Sequence, residues 1–196
     1  FEIFDDQRRK SSRVELLIRA QHNRKTRGQH KLFEEVMQSP VRSRITIKIP
    51  RQSARVKKKN QKARSKRAAR IAEGTVRYIR TELKPPPYFK EMPPVSLWII
   101  HVKEEKPPAG TKAVEWFLLT TIEIKSQDDA LDCIPWYCLR WRIEDWHRVL
   151  KSGCGVAALA HKTAERLKRA IAINLVIAWR IMLMTLMGRD MPELPP

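Results

Sequence analysis

Residues 137–155 read YCLRWRIEDWHRVLKSGCG. Advanced at about 100° per residue, Tyr137, Arg140, Glu144 and Lys151 fall within about 60° of one another, on one narrow stripe of a helix. Leu139, Ile143, Trp146, Val149 and Leu150 fall on the other side, which predicts a buried back behind a polar row. That row holds one carboxylate, two cations and a phenol. A carboxylate can ligate a divalent ion, arginine can fork onto a phosphate, lysine can neutralise one as a point charge, and tyrosine can donate a single hydrogen bond. The set suits metal-assisted phosphoryl transfer. The same spacing also describes an ordinary amphipathic helix with a solvated charged face.

Outward from this stretch, Ser126 followed by Asp128 and Asp129 marks the helix start, Pro135 predicts a kink or a second start, and Gly153 and Gly155 predict its end. A last helix is expected over Thr163–Met187, closed by Gly188 and the tail MPELPP. Its apolar stretch Ala170–Met187 is interrupted by Asn174 and Arg180 and barely reaches spanning length, so a buried helix is expected rather than a membrane span. Upstream the period changes to two. Val41–Ile49 (VRSRITIKI), Ala69–Leu83, Val95–Val102 and Val114–Ile124 read as strands, the last two joined by the turn-forming KPPAGTK, and Arg13–Ala20 reads as a buried strand after a helix end at Phe1–Lys10. His22–His30 is polar and basic, a loop.

The chain has 196 residues, 42% of them hydrophobic, and a formal charge of +19. It can build a real core, and so large a positive charge predicts a polyanionic partner. Arg51–Arg70 contains no acid and reads as a solvated basic connector able to touch phosphates. Three irregularly spaced cysteines, Cys133, Cys138 and Cys154, fit neither a disulfide framework nor a zinc site, so a reducing, cytoplasmic setting is expected. His101, His147 and His161 form no metal-spaced set; solvation or local hydrogen bonding is expected, with His147 near enough the stripe to touch DNA.

The pattern Tyr137-x2-Arg140-x3-Glu144-x6-Lys151, within its RWRIED context and before its glycine pair, resembles the YREK signature of DDE transposases of the insertion-sequence-four and Tn-five type. The resemblance implies an α/β (α+β) fold: an RNase H-like catalytic core interrupted by a long antiparallel β-rich insertion and closing with two helices. On that scheme residues 1–30 end the first part of the core, 31–125 form the insertion, and 126–196 return to the core with the motif. It implies Glu144 as catalytic residue and metal ligand for two ions, Mg2+ or Mn2+, held in the family by two aspartates and one glutamate. Tyr137, Arg140 and Lys151 become DNA contacts. Trp116, in VEWFLLT, matches a tryptophan that stacks on a flipped base, and Arg19, in LLIRAQ, matches a phosphate contact, although Gln21 stands where a second basic residue is usual.

The second family aspartate belongs to a DREAD-like motif that these residues do not contain. Asp5 and Asp6 are poor substitutes, since they fall on the helix following that motif. The 196 residues are therefore expected to bind double-stranded DNA, transposon ends and target alike, without cleaving it alone. The complete enzyme is expected to act as a homodimer on DNA, away from any membrane. Two other readings stay open: a non-catalytic basic DNA-binding remnant, and an RNase H-like nuclease that hydrolyses without joining strands.

Overall fold

The computed structural model describes residues 1–10, 14–49, 51, 68–140, 142–191 and 193, arranged as two units, Phe1–Tyr137 and Cys138–Pro196. Most of the Arg51–Arg70 connector lies outside the described residues. The fold is α/β.

The first unit is built on one antiparallel sheet of five strands in the order β1-β5-β4-β3-β2: β1 Leu17–Arg19, β2 Ser43–Ile49, β3 Arg70–Leu83, β4 Val95–Glu104 and β5 Glu115–Thr120. The alternation in β2 matches its place at an edge. Ile45, Ile47 and Ile49 turn to the core while Arg44, Thr46 and Lys48 stay exposed. β4 is apolar almost throughout because both its faces are covered. Ile100 and Val102 join Val76 and Leu118 beneath α3 (Gln127–Leu139), which contributes Ala130, Cys133, Ile134 and Tyr137. Leu97 and Ile99 join Leu83 and Leu119 beneath α1 (Glu2–Arg9) and α2 (Leu32–Gln38), which contribute Phe4, Leu32 and Val36. Strand periodicity thus sorts one strand between two cores.

Two devices fix the long β3–β4 pairing. Gly74 lies opposite Glu104, where an added Cβ would stand 2.8 Å from the Lys103 carbonyl oxygen, so only glycine permits this approach. The buried Glu104 carboxylate pairs with Arg70 and accepts the Val114 N–H at 2.8 Å, tying the start of β3 to both arms of the β4–β5 hairpin. The hydrogen bond from Arg70 holds the Glu104 carboxyl below its usual range.

Several expectations are corrected. α2 is a helix inside a stretch read as β-rich; Glu34 accepts the Lys31 N–H at 3.2 Å and Asn23 the Phe33 N–H at 2.9 Å, capping seven residues too few to show a period. β1 keeps three residues of the strand expected over Arg13–Ala20, because it pairs only with Leu118–Thr120. Over Gln127–Lys151, where a kink or a second start was expected at Pro135, the second helix starts at Arg142 instead. α3 runs through Pro135 to Leu139, and α4 is Arg142–Arg148, followed by a π-helical turn at Val149–Gly153. Between them Arg140 O accepts the Ile143 N–H at 3.3 Å, a bond three residues apart that resets the helical register. The arithmetic that placed four side chains on one stripe assumes an unbroken helix from Tyr137 to Lys151, and the helix is interrupted here.

The second unit packs α4 and the π-helical turn against α5, Ala164–Asp190. Thr163 caps α5 by accepting the Arg166 N–H at 3.4 Å, Trp146 Nε1 donates to Leu175 O at 3.3 Å, and Leu150 and Ala178 are buried. The helix passes through Gly188, since glycine permits an end without forcing one. The buried helix expected here is exposed instead: 6% of its most apolar window is buried, and it is long and apolar enough by length and composition to cross a membrane. Leu139 and Ile143, expected behind the polar row, are 50% and 46% exposed. Periodicity identifies an apolar face but not what covers it.

Candidate nucleic-acid interface

β1 ends at Arg19, in its pairing with Leu118, and the outer edge of β5 continues beyond it. Ala20 N–H still reaches Phe117 O at 2.7 Å; after that the Arg19 side chain takes over, its Nη2 donating to Glu115 O at 3.2 Å. A cleft of about 600 Å³ follows this edge, lined by Arg19, Gln21, Phe33, Lys112, Trp116 and Phe117 among others. The sheet register brings Arg19 and Trp116, singled out separately in the sequence, to one place. Arg19 is exposed and spends one of its five donors on the sheet edge, which leaves others for an anion. Lys112, exposed in the turn before β5, adds a second cation to the rim.

Trp116 is half-buried. It pairs in register with Val102, and its indole meets the Tyr137 ring edge-on at 5.2 Å. Core packing and a place on the cleft wall thus coexist in one side chain. Tyr137 is 4% exposed and closes the sheet core rather than standing on an open polar row.

Behind the cleft wall lies a group that sequence reading did not connect to it. His101 on β4 stacks on Phe117 at 4.4 Å between centroids, and Phe117 stacks on Phe33 at 3.8 Å. His101 Nε2 lies 3.0 Å from Glu115 Oε1. Of the two fates expected for this histidine, solvation or a local hydrogen bond, it takes the hydrogen bond, and nothing in the spacing pointed to β5, because only sheet register sets Glu115, opposite Lys103, diagonally across from His101. Burial, outweighing the Glu115 carboxylate, lowers the pKa of the ring below its ordinary value.

In the second unit Arg140, Glu144 and Lys151 are all exposed, Glu144 in the first turn of α4 and Lys151 in the π-helical turn. Glu144 has no ion pair or hydrogen bond among the described residues, whereas its neighbour Asp145 is paired with Arg148. His147 is exposed with its ring 5.1 Å from that of Trp146, and His161 is exposed in the segment before α5. Trp141 lies outside the described residues.

Among the described residues no three of His, Cys, Asp and Glu converge as a metal site. Asp5 is buried and held by Arg8 at 2.5 Å and Arg9 at 2.8 Å, and Asp6 pairs with Lys10 at 2.8 Å. Both aspartates are committed to holding their own helix. Glu144 is one uncommitted carboxylate, and these residues alone do not hold a pair of ions.

Compared with protein-family models, residues 3–180 match the one described as Transposase DDE domain. The match takes in Arg19, Trp116, Tyr137, Arg140, Glu144 and Lys151.

Proposed function

The chain belongs to the transposase DDE domain family, and from that premise we propose that it is the glutamate-bearing part of a cut-and-paste transposase of the insertion-sequence-four and Tn-five type. The family binds DNA and uses divalent metal ions. On this reading Tyr137, Arg140, Glu144 and Lys151 are its YREK residues. Residues 31–125 interrupt an RNase H-like core whose parts are 1–30 and 126–196.

Glu144 supplies one carboxylate toward two ions, magnesium or manganese, which when bound place positive charge on the attacking and leaving oxygens at phosphorus. The 196 residues offer no counterpart of the family's two aspartates, since Asp5 and Asp6 are already paired. By themselves they bind transposon-end and target DNA without cutting it; the complete enzyme cuts as a homodimer on paired ends.

The observation that carries the reading is the meeting of Arg19 and Trp116 in one cleft. Arginine holds phosphate through a charge-assisted hydrogen bond, and an indole face accepts any base that leaves the helix. The chain's own residues therefore bind and orient a distorted strand, leaving the bond-breaking step to the carboxylates.

The experiment compares gel shift and magnesium-dependent cleavage of transposon-end DNA by the enzyme supplied with both aspartates. Glu144→Gln keeps shape and loses charge, so cleavage is expected to fall by two orders of magnitude or more, roughly what loss of a key electrostatic contact costs, while binding persists. Parental cleavage by Glu144→Gln overturns the assignment, as does loss of binding in step with cleavage. Detection of strands joined to target DNA separates a transposase from a nuclease that only hydrolyses.

A further inference from the structure

We propose that His101 and Glu115 form a latch that positions the outer edge of β5, and through it Arg19 and Trp116, for nucleic acid, and that the latch opens when the imidazole takes up a second proton. The inference rests on the reading of the cleft given above.

Glu115 is gripped from three directions. Its Oε1 lies 3.0 Å from His101 Nε2 and 4.0 Å from Lys103 Nζ, and its carbonyl oxygen accepts from Arg19 Nη2 at 3.2 Å. Trp116 follows directly, on the opposite face of the strand. A shift of Glu115 therefore moves both the cation and the indole of the cleft. His101 and Glu115 are positioning residues: they act on β5, and β5 carries the groups that meet the ligand.

His101 is built into its place, 3% exposed and stacked on Phe117. Its Nδ1 is buried and has no hydrogen-bond partner among the described residues. With Nε2–H donating to the Glu115 carboxylate, Nδ1 is a bare lone pair, which burial tolerates. A proton there creates a buried N–H with no acceptor, and the cost of such a group is not recovered elsewhere. Arg77 on β3 and Lys103 on β4 oppose the added charge, and only Glu115 favours it. α2, which packs Phe33 against this stack, brings no acceptor to Nδ1: Glu34 takes N–H groups from Lys31 and Asn23, Glu35 takes the Thr81 hydroxyl, and neither carboxylate is hydrogen-bonded to the ring. The latch is therefore closed near neutral pH and released in acid.

The probe is a fluorescein-labelled DNA duplex carrying one unpaired nucleotide, its affinity for the 196-residue chain followed by anisotropy from about pH 7.5 to about pH 5.5 at constant ionic strength. The other histidines are common to all variants, so their contribution cancels in the comparison. His101→Gln keeps a donor toward Glu115 and cannot ionise, so it is expected to bind like the parent at the upper pH. At the lower pH the parent is expected to lose about fivefold or more relative to His101→Gln, the scale of one stacked base. His101→Ala, which lacks the donor, is expected to bind weakly throughout. Parent and His101→Gln tracking each other at every pH overturns the latch. Arg19→Ala and Trp116→Ala, measured at the upper pH, test the cleft itself: parental affinity in both overturns the cleft reading, whatever the pH profile. Far-ultraviolet circular dichroism is expected to stay native over the range; its loss in step with binding assigns His101 to the fold rather than the cleft and overturns the proposal.

Discussion

At the scale of single residues, burial decides which groups are chemically available. Cys133 is buried on the sheet-facing side of α3, and desolvation, helped by Asp132 and Asp129, pushes its thiol up to about 11. So little thiolate forms near pH 8 that alkylation of native protein is expected to spare Cys133 until denaturant is added, as peptide mapping will show. His101 makes the opposite contribution through its depressed pKa. The unfolded chain binds a proton at about pH 6.5, the folded chain only below that, so the unfolded state holds more protons in the window between. Stability is therefore fully present above that window and lost as pH falls through it. Urea melts of the parent are expected to weaken in acid more than those of His101→Gln; equal weakening would remove His101 from the account. None of this was legible beforehand: residue type left His101 as solvated or locally hydrogen-bonded, and only the register of β4 with β5 supplied Glu115.

Secondary elements were legible where their period was long and their boundaries were marked. β2 showed its alternation over VRSRITIKI, and β3, β4 and β5 were flanked by proline or turn residues, so β2, β3 and β5 lie within the stretches read as strands and β4 outruns its own, Val95–Val102, by two residues to Glu104. α2 was missed because its cap comes from Asn23, ten residues before the bond it makes. The joint between α3 and α4 was missed because residues 140–142 include neither glycine nor proline, and the apolar period continues through them. The strength of these elements is testable. Gly74→Ala forces a Cβ against a backbone oxygen at the end of the β3–β4 ladder, where Gly74 is also paired with Ile45 of β2, so a global loss on the order of 1–3 kcal/mol is expected in chemical denaturation. Thr163→Ala removes a cap from α5 and is expected to cost about 1 kcal/mol, felt as earlier amide exchange in the first turns of that helix rather than across the sheet. A Gly74→Ala protein as stable as the parent would mean that the strands can separate there without penalty.

For the whole molecule, charge states the partner and topology states where the partner is met. A charge of +19 is legible in composition and points to a polyanion. The cleft was only half legible: the family resemblance singled out Arg19 and Trp116, but their meeting depends on β1 joining β5 across nearly the whole length of the first unit. The affinity for duplex DNA is expected to fall linearly with log salt, and Arg19→Ala is expected to reduce the slope by about one unit or less, one phosphate contact's share. An unchanged slope with unchanged affinity would leave Arg19 with its structural bond to Glu115 alone. The central claim, that the cleft takes up a base which has left the helix, is tested most directly by comparing the affinity of the chain for a duplex with one unpaired nucleotide and for the same duplex fully paired. The unpaired duplex is expected to bind about fivefold or more tightly, with the preference abolished by Trp116→Ala; equal affinity for the two duplexes, or a preference that survives Trp116→Ala, would contradict it.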